Sequence, residues 1–118
     1  MNQPIFTDGY FKFEGHNGQI FELKQETWEN HILRDRSRWY FGNHFEKILE
    51  TLKEPDYILQ SPSEQITVSY VKKYEDFYIL NTVMARAYLY ILVNTENNII
   101  KTIYDNPKLK NWKCIYER

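Results

Sequence analysis

The chain has 118 residues, a length that suits one domain built around one hydrophobic core. Apolar residues make up 42% of the chain and aromatic residues 17%, a composition that indicates a globular fold and not an intrinsically disordered protein. The formal net charge is −1, so binding to nucleic acid would need a local patch of positive charge rather than a basic surface over the whole molecule.

The single cysteine, Cys114, excludes a disulfide framework and a cysteine-based zinc site within one chain. The sequence contains no run of about 20 apolar residues that would span a bilayer. Its first residues also lack the basic and apolar regions of a signal peptide. We therefore expect a reduced, cytoplasmic protein that does not associate with membranes.

The first predicted element is a β-hairpin over residues 10–24. Residues 10–14 and 20–23 alternate between apolar and polar side chains, and Asn17-Gly18 lies between them. Both of these residue types tolerate the positive φ that a tight hairpin turn requires.

A helix is predicted to begin near Thr27, which can cap it. Trp28, His31, Ile32 and Asp35 follow at the spacing i, i+3, i+4, i+7, so they share one face of an α-helix. This places the imidazole of His31 on the inner face. The charged run over residues 34–38 is predicted to end the helix and begin a loop.

A second helix is predicted from its apolar stripe of Phe45, Ile48, Leu49 and Leu52. Asn43 and Glu46 have the spacing of a capping box, and Pro55 ends the helix.

The remaining sequence predicts strands. Short ones are expected at 58–59 and 77–80, and one at 66–70 is expected to bury one face. A central strand at 88–93 is followed by a turn at 95–98 and by its partner strand at 99–104, and residues 112–116 are expected to form a tail or an edge strand. Helices followed by a run of strands predict a single α+β domain over residues 1–118. In it, two helices pack on a four- to five-stranded antiparallel sheet.

Several side chains suit RNA cleavage without a metal ion, which needs a base, an acid and cations around the phosphate. His31 fits either proton-transfer role, because imidazole titrates near neutral pH. Arg34 lies one helical turn further, and its planar guanidinium can bind two phosphate oxygens. The structural alternatives remain open: His31 can cap the core beside Trp28, and Arg34 can be a solvated arginine paired with Asp35 or Glu29.

Thr102 and Tyr104 lie two residues apart on a predicted strand, so they project from the same face. A threonine hydroxyl can bind a phosphate oxygen, and a tyrosine can stack on a base or relay a proton. The alternative is an ordinary cross-strand pair on a half-exposed sheet.

Three further basic residues are candidates for binding phosphate. Arg86 immediately precedes the central strand, Lys72 ends an earlier strand, and Arg36 lies in the charged loop. The alternative for each of them is a solvated surface charge. The chain has no His-Glu-x-x-His motif, no glycine-rich phosphate loop and no Gly-x-Ser-x-Gly elbow, so we expect no metal ion and no cofactor.

Five segments occur in an order and at a spacing that resemble a known family: residues 27–32 with the Trp28-x-x-His31-Ile32 motif, residues 52–58, residues 68–70, residues 86–93 and Ile100-Lys101-Thr102-Ile103-Tyr104. Together they span about residues 20–105 and resemble the phage-associated nuclease-like domains grouped with barnase, EndoU, the nuclease colicins and RelE, called PBECR domains. The resemblance implies a small α+β fold and a metal-independent endoribonuclease, often a toxin.

By the same resemblance, the family's motif residues fall on His31, Arg86, Thr102 and Tyr104. The chain departs from the family in two places. An Arg-His-Pro sequence expected soon after the helix histidine is replaced by residues 33–36, Leu-Arg-Asp-Arg, so the chain has no counterpart of the second histidine at this place. The segment between Lys72 and Arg86 is also longer than usual.

The sequence thus predicts RNA as the substrate, and an antitoxin or immunity protein is the partner that such a toxin would have. Two alternatives remain: a catalytically inactive binding module of the same fold, and a phage or mobile-element accessory protein that binds a host protein or RNA.

Overall fold

A computed structural model describes residues 3–36, 38–75, 77–79, 82–84 and 87–118, with residues 77–79 and 82–84 described as backbone. Within these ranges the strands are β1 (Tyr10–Glu14), β2 (Ile20–Lys24), β3 (Tyr57–Gln60), β4 (Thr67–Tyr74), β5 (Phe77–Ile79), β6 (Thr82–Met84), β7 (Ala87–Asn94), β8 (Ile100–Asn106) and β9 (Lys113–Glu117). The helical elements are a π-helix (Thr27–Leu33), the α-helix α1 (Phe45–Lys53), and 3-10 turns at His16–Gly18 and Trp39–Asn43.

The fold is α+β, as predicted. Five antiparallel strands form the main sheet in the order β8-β7-β4-β3-β9, and the hairpins β1-β2 and β5-β6 form separate two-stranded sheets. The main core contains residues of both helices, of β1-β2 and of one face of the main sheet. Within the described ranges, no helix is both long enough and apolar enough to cross a membrane.

The predicted N-terminal hairpin is confirmed. Strands β1 and β2 pair in antiparallel register, and Asn17 and Gly18 have φ angles of 56° and 73°. The predicted central strand is also confirmed, because β7 pairs with β4 on one side and with β8 on the other.

The prediction that residues 66–70 bury only one face is wrong. Thr67 and Ser69 are as fully buried as Val68 and Tyr70, which alternate with them along β4. The hydroxyl of Thr67 is covered by Glu64 and Lys101, whose Oε2 and Nζ lie 2.8 and 3.0 Å from it. Further along this face lies a second apolar cluster, formed by Leu59, Val71 and Tyr90. Residues 107–112, which join the opposite sheet edges β8 and β9, pack Leu109 and Trp112 on this cluster.

The first helix is present, but its geometry differs from the prediction. It is a π-helix, whose i→i+5 hydrogen bonds give a wider turn than the 3.6 residues assumed above. Trp28 and Ile32 are buried, whereas His31 is exposed, so the placement of His31 on the inner face is wrong. Thr27 is not a cap, because the helical conformation already includes Glu26.

The second helix is confirmed as α1, with Phe45, Ile48 and Leu52 buried. Its predicted capping box is not formed: the N-cap position is His44, which makes no side-chain cap hydrogen bond. Asn43 instead ends the preceding 3-10 turn. The predicted strand at 77–80 corresponds to β5, and its last residue, Leu80, lies outside the described residues.

Close packing between the N-terminal hairpin and α1 generates a stability prediction at Gly15. A Cβ atom on Gly15 would lie 2.6 Å from Cε2 of Phe21 and 2.8 Å from the carbonyl oxygen of Leu52. Phe21 is fully buried and the second contact is to backbone, so neither can move freely. We expect Gly15→Ala to lower the free energy of unfolding by about 1–3 kcal/mol, measured by urea denaturation. The exposed neighbour Glu14→Ala is the control, and equal stability of the two variants would contradict the packing.

Candidate functional site

Two residues that are 71 positions apart in sequence meet at the edge of the main sheet. Nε2 of His31 lies 3.1 Å from Oγ1 of Thr102, within hydrogen-bond distance. The burial of Trp28 and Ile32 fixes the π-helix against the core, and this leaves the imidazole on the solvent side, next to the edge strand β8. The pair is therefore both formed and accessible.

This contact leaves the second ring nitrogen of His31 for proton transfer. A neutral imidazole has one N–H donor and one acceptor nitrogen. If Nε2 donates to the Thr102 hydroxyl, Nδ1 is the acceptor and can take a proton. If the hydroxyl donates to Nε2, Nδ1 carries the proton and can give it up. Either arrangement keeps the ring oriented while it acts as a base or an acid.

The charged loop after the π-helix is attached to the same strand. Nε of Arg38 donates to the backbone carbonyl of Ile103 over 3.0 Å, next to Thr102, and its Nη1 forms an ion pair with Asp35 over 2.9 Å. Arg38 was not among the residues predicted from the sequence. The sequence shows that Arg38 belongs to the charged run, but it does not show that its hydrogen-bond acceptor is the Ile103 carbonyl on a distant strand.

The buried side chain of Tyr40 makes a further contact between this segment and β8. The hydroxyl of Tyr40 donates to the carboxylate of Asp105, further along β8. Burial raises the pKa of Tyr40 well above its ordinary value, and the hydrogen bond to Asp105 raises it further. Tyr40 therefore keeps its proton and serves as a hydrogen-bond donor that holds the 3-10 turn on the strand.

Positive charge at this edge comes from the arginine segment. Arg34 and Arg36 are exposed, whereas Arg38 is partly buried in its contacts with the loop and the strand. Since Asp35 is the one acidic residue between Arg34 and Arg38, the segment is basic in a chain whose net charge is −1. The segment therefore has the local excess of positive charge that nucleic-acid binding would need in a chain of this net charge.

Tyr104 lies on the same face of β8 as Thr102, as predicted, but its side chain makes different contacts. In the register of β8 with β7, Thr102 pairs with Leu92 and Tyr104 with Tyr90. The ring of Tyr104 stacks on Tyr90 with 5.0 Å between centroids, and its hydroxyl accepts a hydrogen bond of 2.8 Å from Lys110. It belongs to the second apolar cluster, beneath the connection between β8 and β9.

Of the two remaining basic candidates, the structure describes Lys72 but not Arg86, and Lys72 does not join the His31–Thr102 pair. Lys72 is buried and donates to the carbonyl of Glu54 over 2.9 Å, with Asp56 at 3.7 Å. It lies on β4, which β7 separates from β8, and its ammonium group is held by Glu54 and Asp56. Arg86 lies outside the described residues.

Comparisons of the chain with protein-family models, with curated proteins and with solved structures found no match.

The hydrogen bond between Tyr40 and Asp105 predicts a dependence of stability on alkaline pH. Below about pH 10, Tyr40 is protonated in the folded and unfolded chains alike. Above it, the unfolded chain releases the proton while the folded chain, with its raised pKa, retains it, so stability falls as pH rises. Between pH 10 and 11 the free energy of unfolding should therefore fall by about 1 kcal/mol less in Tyr40→Phe than in the parent. Thermal unfolding at the two pH values measures this difference. Tyr10→Phe, at an exposed position, is the control, and parallel profiles for Tyr40→Phe and the parent would contradict the assignment.

Proposed function

We propose that the protein is a metal-independent endoribonuclease that acts in the cytoplasm and cleaves RNA at the His31–Thr102 pair. The observation that supports this proposal is the 3.1 Å contact between these two side chains, which joins the helix motif to the last strand motif. His31 is also exposed, as a group that exchanges protons with a substrate must be.

In the proposed reaction, His31 accepts the proton of the ribose 2′-hydroxyl at the scissile nucleotide. The 2′-oxygen then attacks phosphorus, and the bond from phosphorus to the 5′-oxygen of the next nucleotide breaks. The leaving oxygen takes a proton from water, and His31 returns its proton to solvent. The products are a 2′,3′-cyclic phosphate and a 5′-hydroxyl end, and the reaction needs no metal ion.

The other residues of the site stabilise the charge that develops on the phosphate. The Thr102 hydroxyl can donate to a non-bridging oxygen, and the exposed guanidinium groups of Arg34 and Arg36 can neutralise the phosphate. Arg38 is a positioning residue, because its hydrogen bond to the Ile103 carbonyl holds the loop next to Thr102.

A second candidate function is a binding module that has lost catalysis. It is favoured by the internal engagement of Tyr104 with Tyr90 and Lys110, and of Lys72 with Glu54. In this case the basic edge would bind RNA or a host protein without cleaving it. An antitoxin or immunity protein that covers the edge remains part of the nuclease proposal.

Cleavage in the presence of EDTA tests the proposal. The substrate is a 5′-labelled RNA oligonucleotide of mixed sequence. We expect 2′,3′-cyclic phosphate products, no cleavage of the matched all-DNA oligonucleotide, and a loss of about 100- to 10,000-fold in rate for His31→Ala, because the base is removed. His16→Ala is the control, since His16 packs instead against Tyr116 at 4.6 Å between ring centroids. Cleavage unaffected by His31→Ala, or absent from the parent protein, would refute the nuclease and leave the binding module.

The role of Thr102 is tested by a matched pair of substitutions. Thr102→Val keeps the shape of the side chain but removes the hydroxyl, so we expect the cleavage rate to fall about 10- to 100-fold. Thr102→Ser keeps the hydroxyl and should retain most of the activity. Equal rates for the two variants would show that the hydroxyl does not contribute. Circular dichroism of both variants checks that the fold is intact.

A further inference from the structure

Trp39 is an exposed aromatic side chain next to the candidate site. Its exposed fraction is 40%, compared with 2% for Trp28 in the core. Tryptophan is among the more buried residue types on average, because its ring has a large apolar area. The exposed indole of Trp39 is therefore available to stack on a flat ligand group.

The backbone that carries Trp39 is held against β8. Its own N–H donates to the carbonyl of Asp35 over 2.9 Å. The residue before it, Arg38, bonds to the Ile103 carbonyl, and the residue after it, Tyr40, bonds to Asp105. Trp39 is thus anchored on both sides to the strand that carries Thr102.

Charge indicates the chemistry of the partner. Arg34 and Arg36 precede Trp39 by five and three residues, and both are exposed. Guanidinium groups beside an exposed aromatic ring form the combination that binds single-stranded nucleic acid, in which cations contact the phosphates and the ring stacks on a base. In a duplex the bases stack on one another, so their faces are not free for the ring.

We propose that Trp39 stacks on an unpaired base and makes the site selective for single-stranded RNA. The choice of RNA rests on the proposed function above, whereas the preference for a single strand follows from the ring and the arginines. Trp39 in this scheme is a specificity-determining residue that holds a nucleotide near the scissile one.

Binding can be measured separately from cleavage in a His31→Ala background. The probe is a fluorescently labelled single-stranded RNA oligonucleotide, compared with the same strand in an RNA duplex. We expect tighter binding of the single strand, and Trp39→Ala should weaken it about 5- to 100-fold. Trp39→Phe should retain part of the affinity, because a smaller ring still stacks. Tyr10→Ala removes another exposed aromatic side chain, at 37% exposure on β1, and should leave binding unchanged.

The outcomes separate this inference from the nuclease proposal. Trp39-dependent binding by a protein that does not cleave RNA would support the inference and refute the nuclease. Three results would overturn the inference: equal affinity of Trp39→Ala and its parent, equal affinity for single strand and duplex, or no binding of RNA at all. Quenching of tryptophan emission by RNA that disappears in Trp39→Phe would give an independent indication of stacking.

Discussion

The candidate site depends on one constraint, which is that β8 is an edge strand. An edge strand presents backbone N–H and C=O groups that a neighbouring strand does not satisfy, and such groups must find other partners or remain in water. Here the segment from the π-helix to the 3-10 turn contacts that strand. Arg38 satisfies the carbonyl of Ile103, Tyr40 binds Asp105, and His31 meets Thr102. The contacts that attach the segment to the sheet are therefore the same ones that bring the imidazole to the hydroxyl.

Because β9 forms the edge opposite β8, the connection between these two strands packs on one face of the sheet. The chain must pass from β8 at one edge to β9 at the other in the six residues 107–112. Lys110 from this connection binds the Tyr104 hydroxyl, and Trp112 packs near Tyr90. Tyr104 is therefore a partly buried member of an aromatic cluster, although it lies only two residues from Thr102. Under the proposed function, RNA would approach the His31–Thr102 pair from the side of the edge that carries the arginine segment.

Much of the fold could be predicted from local pattern because its elements obey local rules. The Asn17-Gly18 turn, the apolar stripe of α1 and the apolar run of β7 each depend on backbone preferences or on burial that a short window reveals. The predictions failed where a distant segment changed the local environment. The buried Thr67 on β4 is one example, since its hydroxyl is covered by Lys101, which lies 34 residues later in the sequence. The capping box of α1 is another, because the 3-10 turn continues through Asn43 and displaces the helix start.

By itself, the sequence determined the α+β class, the hairpin turns, the core stripe of α1 and the residue types able to perform proton transfer and phosphate binding. These follow from periodicity and from side-chain chemistry, which are properties of short segments. Only the tertiary structure decided which of the candidates meet. The π-helical turn places His31 on the solvent side and not in the core, the edge position of β8 brings Thr102 next to it, and the connection between β8 and β9 partly covers Tyr104. Contacts between segments 70 residues apart depend on strand order and on the path of the chain, and neither is encoded in any local pattern.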